Sequence, residues 1–348
     1  MKVEAVLTSG LRTARALAAI ACTGLVAAVL TGCGGSANGK TITIYSGQHQ
    51  QTTALLVADF ERRTGIKALV RPGDEAELAN QIIQEGKHSV ADIFYTENSP
   101  ALTALAERGL LARVDSSTLA VPPSADNSPA GDWVAVSARA SVMVYNTNEI
   151  SASQLPAHLL DFESPFWKGK IGYAPGETDF QPLVTAIVKL KGEAAAVDWL
   201  KALKQNGKTY DDNESLVAAV NRGDVAVGLI DHYYWYRLRD ELGVSHMHSE
   251  LAYFAAGDPG DLVDVSGAAA LKASHHPELA QRFLAYLVSE PAQKIIATSH
   301  SYEYPLRAGV DDQRLQRSLA SLHAAPVSVA DLGDGAKSLQ LLEKLGLL

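Results

Sequence analysis

The stretch richest in chemically capable side chains is Asp231-His232-Tyr233-Tyr234-Trp235-Tyr236. Adjacent tyrosines on a strand point to opposite faces. At the first turn of a helix, neighbouring side chains both lean toward the terminus. Unpaired backbone N–H groups there favour negative charge by roughly 0.3–1 kcal/mol, which assists a phenolate. A phenol alone ionises near pH ~10, so a phenolate at neutral pH also needs a strong cation, and a trivalent ion qualifies. Two phenolates and one carboxylate neutralise Fe(III), and an imidazole adds a fourth donor without charge. Hard oxygen donors suit this ion better than thiolates do. Glu97 and His49 are the candidate carboxylate and imidazole. Plain packing competes with this reading. An aromatic run at a helix start, a histidine after a Gly-Gln turn and a lone glutamate are all ordinary features, and spacing alone leaves both readings open.

The elements that must position these side chains alternate strand and helix. Residues 41–45 read as a strand, and 53–63 as a helix with Leu56, Val57 and Phe60 inward, ending at Gly65. A strand over 66–70, a helix over 75–85 stopped by Gly86, a strand over 91–95 and a helix over 100–108 follow. Residues 133–145 form a longer β-type run, suited to crossing between lobes. Beyond it come a strand over 170–174, helices over 182–191, 194–205 and 215–222, and a strand over 225–230 that leads into a helix near Tyr233. Strands over 251–255 and 267–271 and helices over 277–289, 291–299 and 336–345 complete the chain. Alternation of this kind predicts parallel sheets covered on both faces, with ligands beyond the carboxyl ends of the strands. His49, Glu97 and Tyr233-Tyr234 each lie just past a predicted strand.

Composition narrows the class. The chain has 348 residues, 47% hydrophobic and 20% charged, an ordinary globular balance whose length suits two domains. Its formal charge is −9 and no Lys/Arg block is present, which argues against a nucleic-acid partner. Residues 1–32 read as a secretory leader: Arg12 and Arg15 flank an apolar run over 16–30 that is too short for a comfortable span. The run ends in Leu30-Thr31-Gly32-Cys33, resembling a lipobox in which Cys33 becomes the lipidated first residue. Cys22 leaves with the leader, so no disulfide framework remains and the fold must rest on its core. Residues 33–40 read as a short tether. No Gly-x-Ser-x-Gly, His-Glu-x-x-His or Walker pattern occurs. His246-Met247-His248 and His275-His276 lie in polar turns and are not taken as a second metal site.

Six strings recur in order: Tyr45-Ser46-Gly47-Gln48-His49, Asp92-Ile93-Phe94-Tyr95-Thr96-Glu97, Trp167-Lys168-Gly169-Lys170-Ile171-Gly172-Tyr173, Tyr233-Tyr234-Trp235-Tyr236, Ser266-Gly267-Ala268-Ala269 and Glu303-Tyr304-Pro305-Leu306-Arg307. As a set they resemble the bacterial periplasmic ferric-iron-binding proteins, from about Thr41 to the C-terminus. The resemblance implies an α/β, two-lobed, type II periplasmic-binding-protein-like fold whose lobes are joined by crossing hinge strands. Lobe 1 is expected over 41–140 plus 265–311, and lobe 2 over 141–264 plus 312–348. It implies Fe(III) held by His49, Glu97, Tyr233 and Tyr234 and completed by a synergistic anion such as carbonate, phosphate or citrate. Asn213 matches an anion-contacting residue, and Asn98 stands where relatives carry glutamine.

Two departures bear on the anion. Glu177-Thr178-Asp179 replaces the small Ser/Gly/Ala residues of phosphate-binding relatives, and Asp231 replaces an asparagine. Asp231 reads equally well as a helix N-cap. Phe180 stands near where some relatives supply a third phenolate. The expected function is a lipid-anchored, monomeric extracytoplasmic protein, not an enzyme, that delivers iron to an ABC permease and its ATPase. The alternatives are the same fold carrying another metal or a small organic anion, or a tyrosine–iron surface enzyme.

Overall fold

The computed structural model describes residues 40–348. The expected leader, Cys33 and all of the tether but Lys40 lie outside the described residues. Among the described residues no helix is long and apolar enough to cross a membrane.

The chain begins β1 (Thr41–Ser46), α1 (Gln50–Thr64), β2 (Lys67–Pro72), α2 (Glu75–Glu85), β3 (Ile93–Thr96), α3 (Ser99–Glu107) and the one-turn α4 (Ser116–Leu119). The 13-residue β4 (Val134–Asn146) follows. Next come β5 (Ile171–Tyr173), α5 (Phe180–Lys191), α6 (Glu193–Asn206), β6 (Gly207–Thr209), α7 (Asn213–Arg222), β7 (Val227–Asp231), α8 (His232–Leu242) and β8 (Ser249–Ala252). The remainder is β9 (Val263–Ala270), α9 (Pro277–Leu287), α10 (Glu290–Thr298), β10 (Tyr304–Pro305), α11 (Val329–Leu332) and α12 (Ala336–Lys344).

Local chemistry sets several boundaries. Gly65 ends α1 in the left-handed region at φ 67°, donating its N–H to the Glu61 carbonyl. The Asp74 carboxylate accepts from Glu77 N at 2.9 Å and caps α2. The first helix begins at Gln50, earlier than expected from its apolar positions, and this makes His49 its N-cap residue.

Hydrogen bonding runs in the order β2-β1-β3-β9-β4-β7-β5-β6, with β8 and β10 also on β4. Pairing is parallel among β1, β2 and β3 and among β5, β6 and β7. At the centre it is antiparallel, contrary to the all-parallel expectation: β9 opposes β3 and β4, and β4 opposes β7, β8 and β10. A chain that crosses on β4 and returns on β9 must run back against itself, which accounts for the difference. From Val134 to Ala140 β4 pairs with β9; from Ser141 to Tyr145 it pairs with β7.

Each half has its own apolar core. One contains Ile42, Ile44, Phe60, Phe283 and Ile296, and the other Phe162, Trp199, Leu200, Ile187 and Leu342. A third cluster continues across β4, from Leu102 and Trp133 to Leu216 and Ile230, and includes Tyr233.

Candidate metal centre

β1 and β3 are parallel neighbours, with Ser46 beside Tyr95, so the segments after them emerge side by side. Gly47 permits this approach: a Cβ there would lie 2.5 Å from the Cβ of Glu75. His49 Nδ1 stands 3.0 Å from Glu97 Oε1 and also bonds Gln48 Oε1. Gln48 is itself fixed, donating to Ser266 Oγ at 2.9 Å. The side chains of His49 and Glu97 keep 15% and 18% of their surface, so this pair is within reach of solvent. Burial works against ionisation of Glu97, but His49, Arg139 and Arg237 outweigh it and hold the carboxyl down to about 2.

The second half of the centre is built where β7 turns into α8. His232, fully buried, accepts from Ala140 N at 3.2 Å through Nδ1 and donates to the Tyr302 carbonyl at 2.7 Å through Nε2. Burial pushes this imidazole down to about 3, so it is a neutral strut tying the first turn of α8 to the crossing strand. Tyr233 and Tyr234 follow with ring centroids 4.4 Å apart. Tyr233 meets the His49 ring edge-on at 5.1 Å, which brings the two halves together.

The phenols are in a costly state. The Tyr233 hydroxyl is buried and has no hydrogen-bond partner among the described residues. Burial, then the neighbouring Tyr234, Glu97 and Asp231, push its pKa well above 10; burial, then Asp179, Glu97, Glu177 and Glu214, do the same for Tyr234. An orphaned buried polar group destabilises by about 1–3 kcal/mol, so an unpaired hydroxyl here marks a place for a partner. Arg237, four residues beyond Tyr233, lays its guanidinium 4.5 Å from that ring and 5.8 Å from the Tyr234 ring.

Arg139, near the middle of β4, links both halves. It is fully buried, pairs with Glu303 and bonds the Glu97 carbonyl and Asn98 Oδ1, the last at 3.0 Å. Its Nε faces Asp231 Oδ2 at 4.0 Å. Asp231 occupies the N-cap position of α8, but its side chain caps nothing; it accepts from Ser141 Oγ at 3.3 Å instead.

The two expected anion contacts are already engaged. Asn98 Nδ2 donates to Glu75 Oε1 at 2.9 Å and to Thr178 Oγ1 at 3.1 Å, and Asn213 Nδ2 donates to Asp179 Oδ2 at 2.8 Å. Sequence reasoning missed Glu75, His232 and Arg237. Only Arg237 had a readable signal, its four-residue spacing from Tyr233. Among the described residues no group of three His, Cys, Asp or Glu side chains is placed to hold a metal. A cleft of about 500 Å³ lies against the C-terminus beside Tyr173, Tyr210 and Leu348, away from the tyrosine pair.

Two α/β lobes sharing crossing strands, with polar groups converging between them, define a type II solute-binding protein. The family model for bacterial extracellular solute-binding proteins matches residues 88–323. The major ferric iron-binding protein of Neisseria meningitidis serogroup B is 40% identical over 312 residues, covering 88% of this chain and 93% of its own. The Fe(3+)-binding periplasmic protein of Serratia marcescens is 38% identical over 307 residues, covering 88% and 90%. The crystal structure of iron-bound HitA from Pseudomonas aeruginosa superposes with a TM-score of 0.85 at 41% identity, over 88% of this chain and 99% of that one. Trichodesmium IdiA, in complex with iron and citrate ligands, superposes at 0.75 with 29% identity, over 88% and 99%. The chain belongs to the bacterial extracellular solute-binding protein family, in the group whose named members are ferric-iron-binding proteins.

Proposed function

We propose that this protein captures Fe(III) between its lobes through His49, Glu97, Tyr233 and Tyr234 and passes it to an ABC permease driven by its ATPase. The observation that carries the reading is the buried, partnerless Tyr233 hydroxyl, set beside Tyr234 and against the His49–Glu97 pair. A trivalent cation repays the cost of ionising two buried phenols and supplies the partner Tyr233 lacks.

Lobe 1 comprises residues 41–140 and 265–311, and lobe 2 residues 141–264 and 312–348. The change of partner along β4 between Ala140 and Ser141 supports this division. Closure is a hinge motion about the crossing strands, with the metal bridging the halves. The protein works outside the cytoplasm as a monomer, with residues 1–32 removed as a leader and Cys33 carrying a lipid anchor. It binds and releases cargo and is not an enzyme.

Iron titrated into metal-stripped protein is expected to produce a red to purple phenolate-to-iron charge-transfer band at one iron per chain. Tyr233→Phe and Tyr234→Phe are expected to bleach it. A colourless protein after ferric addition would overturn the assignment of cargo and ligands together.

A further inference from the structure

On the His49–Glu97 side of the proposed centre, both ligand segments rest on one residue outside the ligand set, Glu75, which opens α2. Its backbone seats the approach to His49: a Cβ on Gly47 would lie 2.8 Å from the Glu75 Cα as well as 2.5 Å from its Cβ. Its side chain reaches the other segment. Oε2 accepts from Thr96 Oγ1 and from Asn98 N, the latter at 2.9 Å, and Oε1 accepts from Asn98 Nδ2 at 2.9 Å. The two residues gripped are the immediate neighbours of Glu97. Thr96 and Asn98 are buried, whereas Glu97 between them keeps solvent contact and faces His49.

The side-chain chemistry at position 75 fits this task. The three groups that meet the Glu75 carboxylate are all donors, and a carboxylate only accepts, so it satisfies them together. A glutamine would turn its amide N–H toward one of those donors. Burial, then the charge of Glu97, raise the pKa of this acid, so it is held here at a cost. Asn98, once oriented, has two further partners. Its Oδ1 accepts from Arg139 at 3.0 Å, and its Nδ2 also donates to Thr178 Oγ1 at 3.1 Å, across the boundary between the proposed lobes. The segment 96–98 is thereby anchored on both flanks of Glu97.

We propose that Glu75 is a positioning residue for iron capture: by holding Thr96 and Asn98 it sets the Glu97 carboxylate in place before the metal arrives. This rests on the iron reading above. Glu75 does not touch the metal, and its influence passes through Glu97. A carboxylate on a loose loop loses conformational freedom when it binds, and orienting it beforehand removes that loss from the binding step.

The test is a double-mutant cycle on ferric affinity, read by competition with nitrilotriacetate, with hydrogen exchange on the metal-free chains as a second readout. Glu75→Ala keeps the Cβ that packs on Gly47 and removes the acceptors. It is expected to bind iron about tenfold more weakly or worse, as loss of an outer partner of a metal ligand does. The phenolate band should stay at its wild-type wavelength, because the tyrosines are untouched, and the Asn98 amide should exchange faster. In a Glu97→Gln background the same substitution should change affinity by less than about twofold. Glu75→Gln, which keeps the side-chain volume, carries the same cycle if the alanine variant does not fold. Equal losses in both backgrounds overturn the proposal, since Glu75 would then act on the fold at large. A folded variant that binds iron like the wild type, or one whose Asn98 amide stays protected, overturns it too. A wild type that develops no phenolate band overturns the cargo reading instead.

Discussion

The two halves of the proposed metal centre differ in the charge they carry. On the first side Glu97 is already ionised, held down to about 2, bonded to His49 and partly open to solvent. On the second side Tyr233 and Tyr234 are sealed, neutral and pushed well above 10, one of them without a partner. The first half carries standing charge, and the second acquires charge only when a cation compels it. With the proposed ligand set, affinity draws on both sides, whereas colour and proton release belong to the tyrosines.

Arg139→Met should give the largest effect, because Arg139 serves both sides. It strands the fully buried Glu303 and frees the Asn98 side-chain oxygen and the Glu97 carbonyl, at a cost of about 3–5 kcal/mol in chemical unfolding. A loss under 1 kcal/mol would mean the halves are not tied through this cation. Next, Tyr233→Phe should abolish tight ferric binding yet stabilise the metal-free protein by about 1 kcal/mol, since it deletes an unpaired buried hydroxyl. Destabilisation of the metal-free variant would indicate that the hydroxyl has a partner there. By contrast, Glu97→Gln should lower affinity while retaining the band.

Proton linkage separates the sides further. Both phenols stay protonated at neutral pH without metal, so each iron displaces two phenolic protons, and affinity falls by about 100-fold per unit of acidification from this source. Glu97, already ionised, contributes none in that range. Calorimetry in buffers of different ionisation enthalpy should count one proton fewer in Tyr234→Phe and no change in Glu97→Gln. The smallest effect belongs to a control outside the proposed ligand set, the Lys189–Asp331 pair. Asp331 is held down to about 2 by Lys189 and the Ser328 turn. Its stabilisation is thus present above the ordinary carboxylate range and is lost as pH falls toward 2. Lys189→Ala should cost only about 0.5 kcal/mol at neutral pH.

Much of this was legible in the sequence because its signals are local. The apolar spacing of Leu56, Val57 and Phe60, the stop at Gly65 and the long β run through Trp133–Tyr145 each report on a few neighbouring residues, and all three features are present. The two tyrosines at the start of α8 were equally plain. What escaped depends on distant pairing. Central strands became antiparallel because the chain must return on β9, a fact no short window contains. Glu75 looks like an ordinary first-turn acid until it holds Thr96 and Asn98, and His232 looks like one more aromatic until it bonds Ala140 and Tyr302. Asn98 and Asn213 were read by position alone, so the neighbours that consume their amides were invisible.

β4 belongs to both sheets at once, and this turns the crossing strand into an axle. Arg139 and the Ala140–Ser141 step lie on it, so groups beside them travel little when the angle between the lobes changes. Displacement grows with distance from the pivot, and the outermost rims sweep the widest arc. With the hinge motion proposed above, a small adjustment around one ion is thereby magnified into a large change of outline.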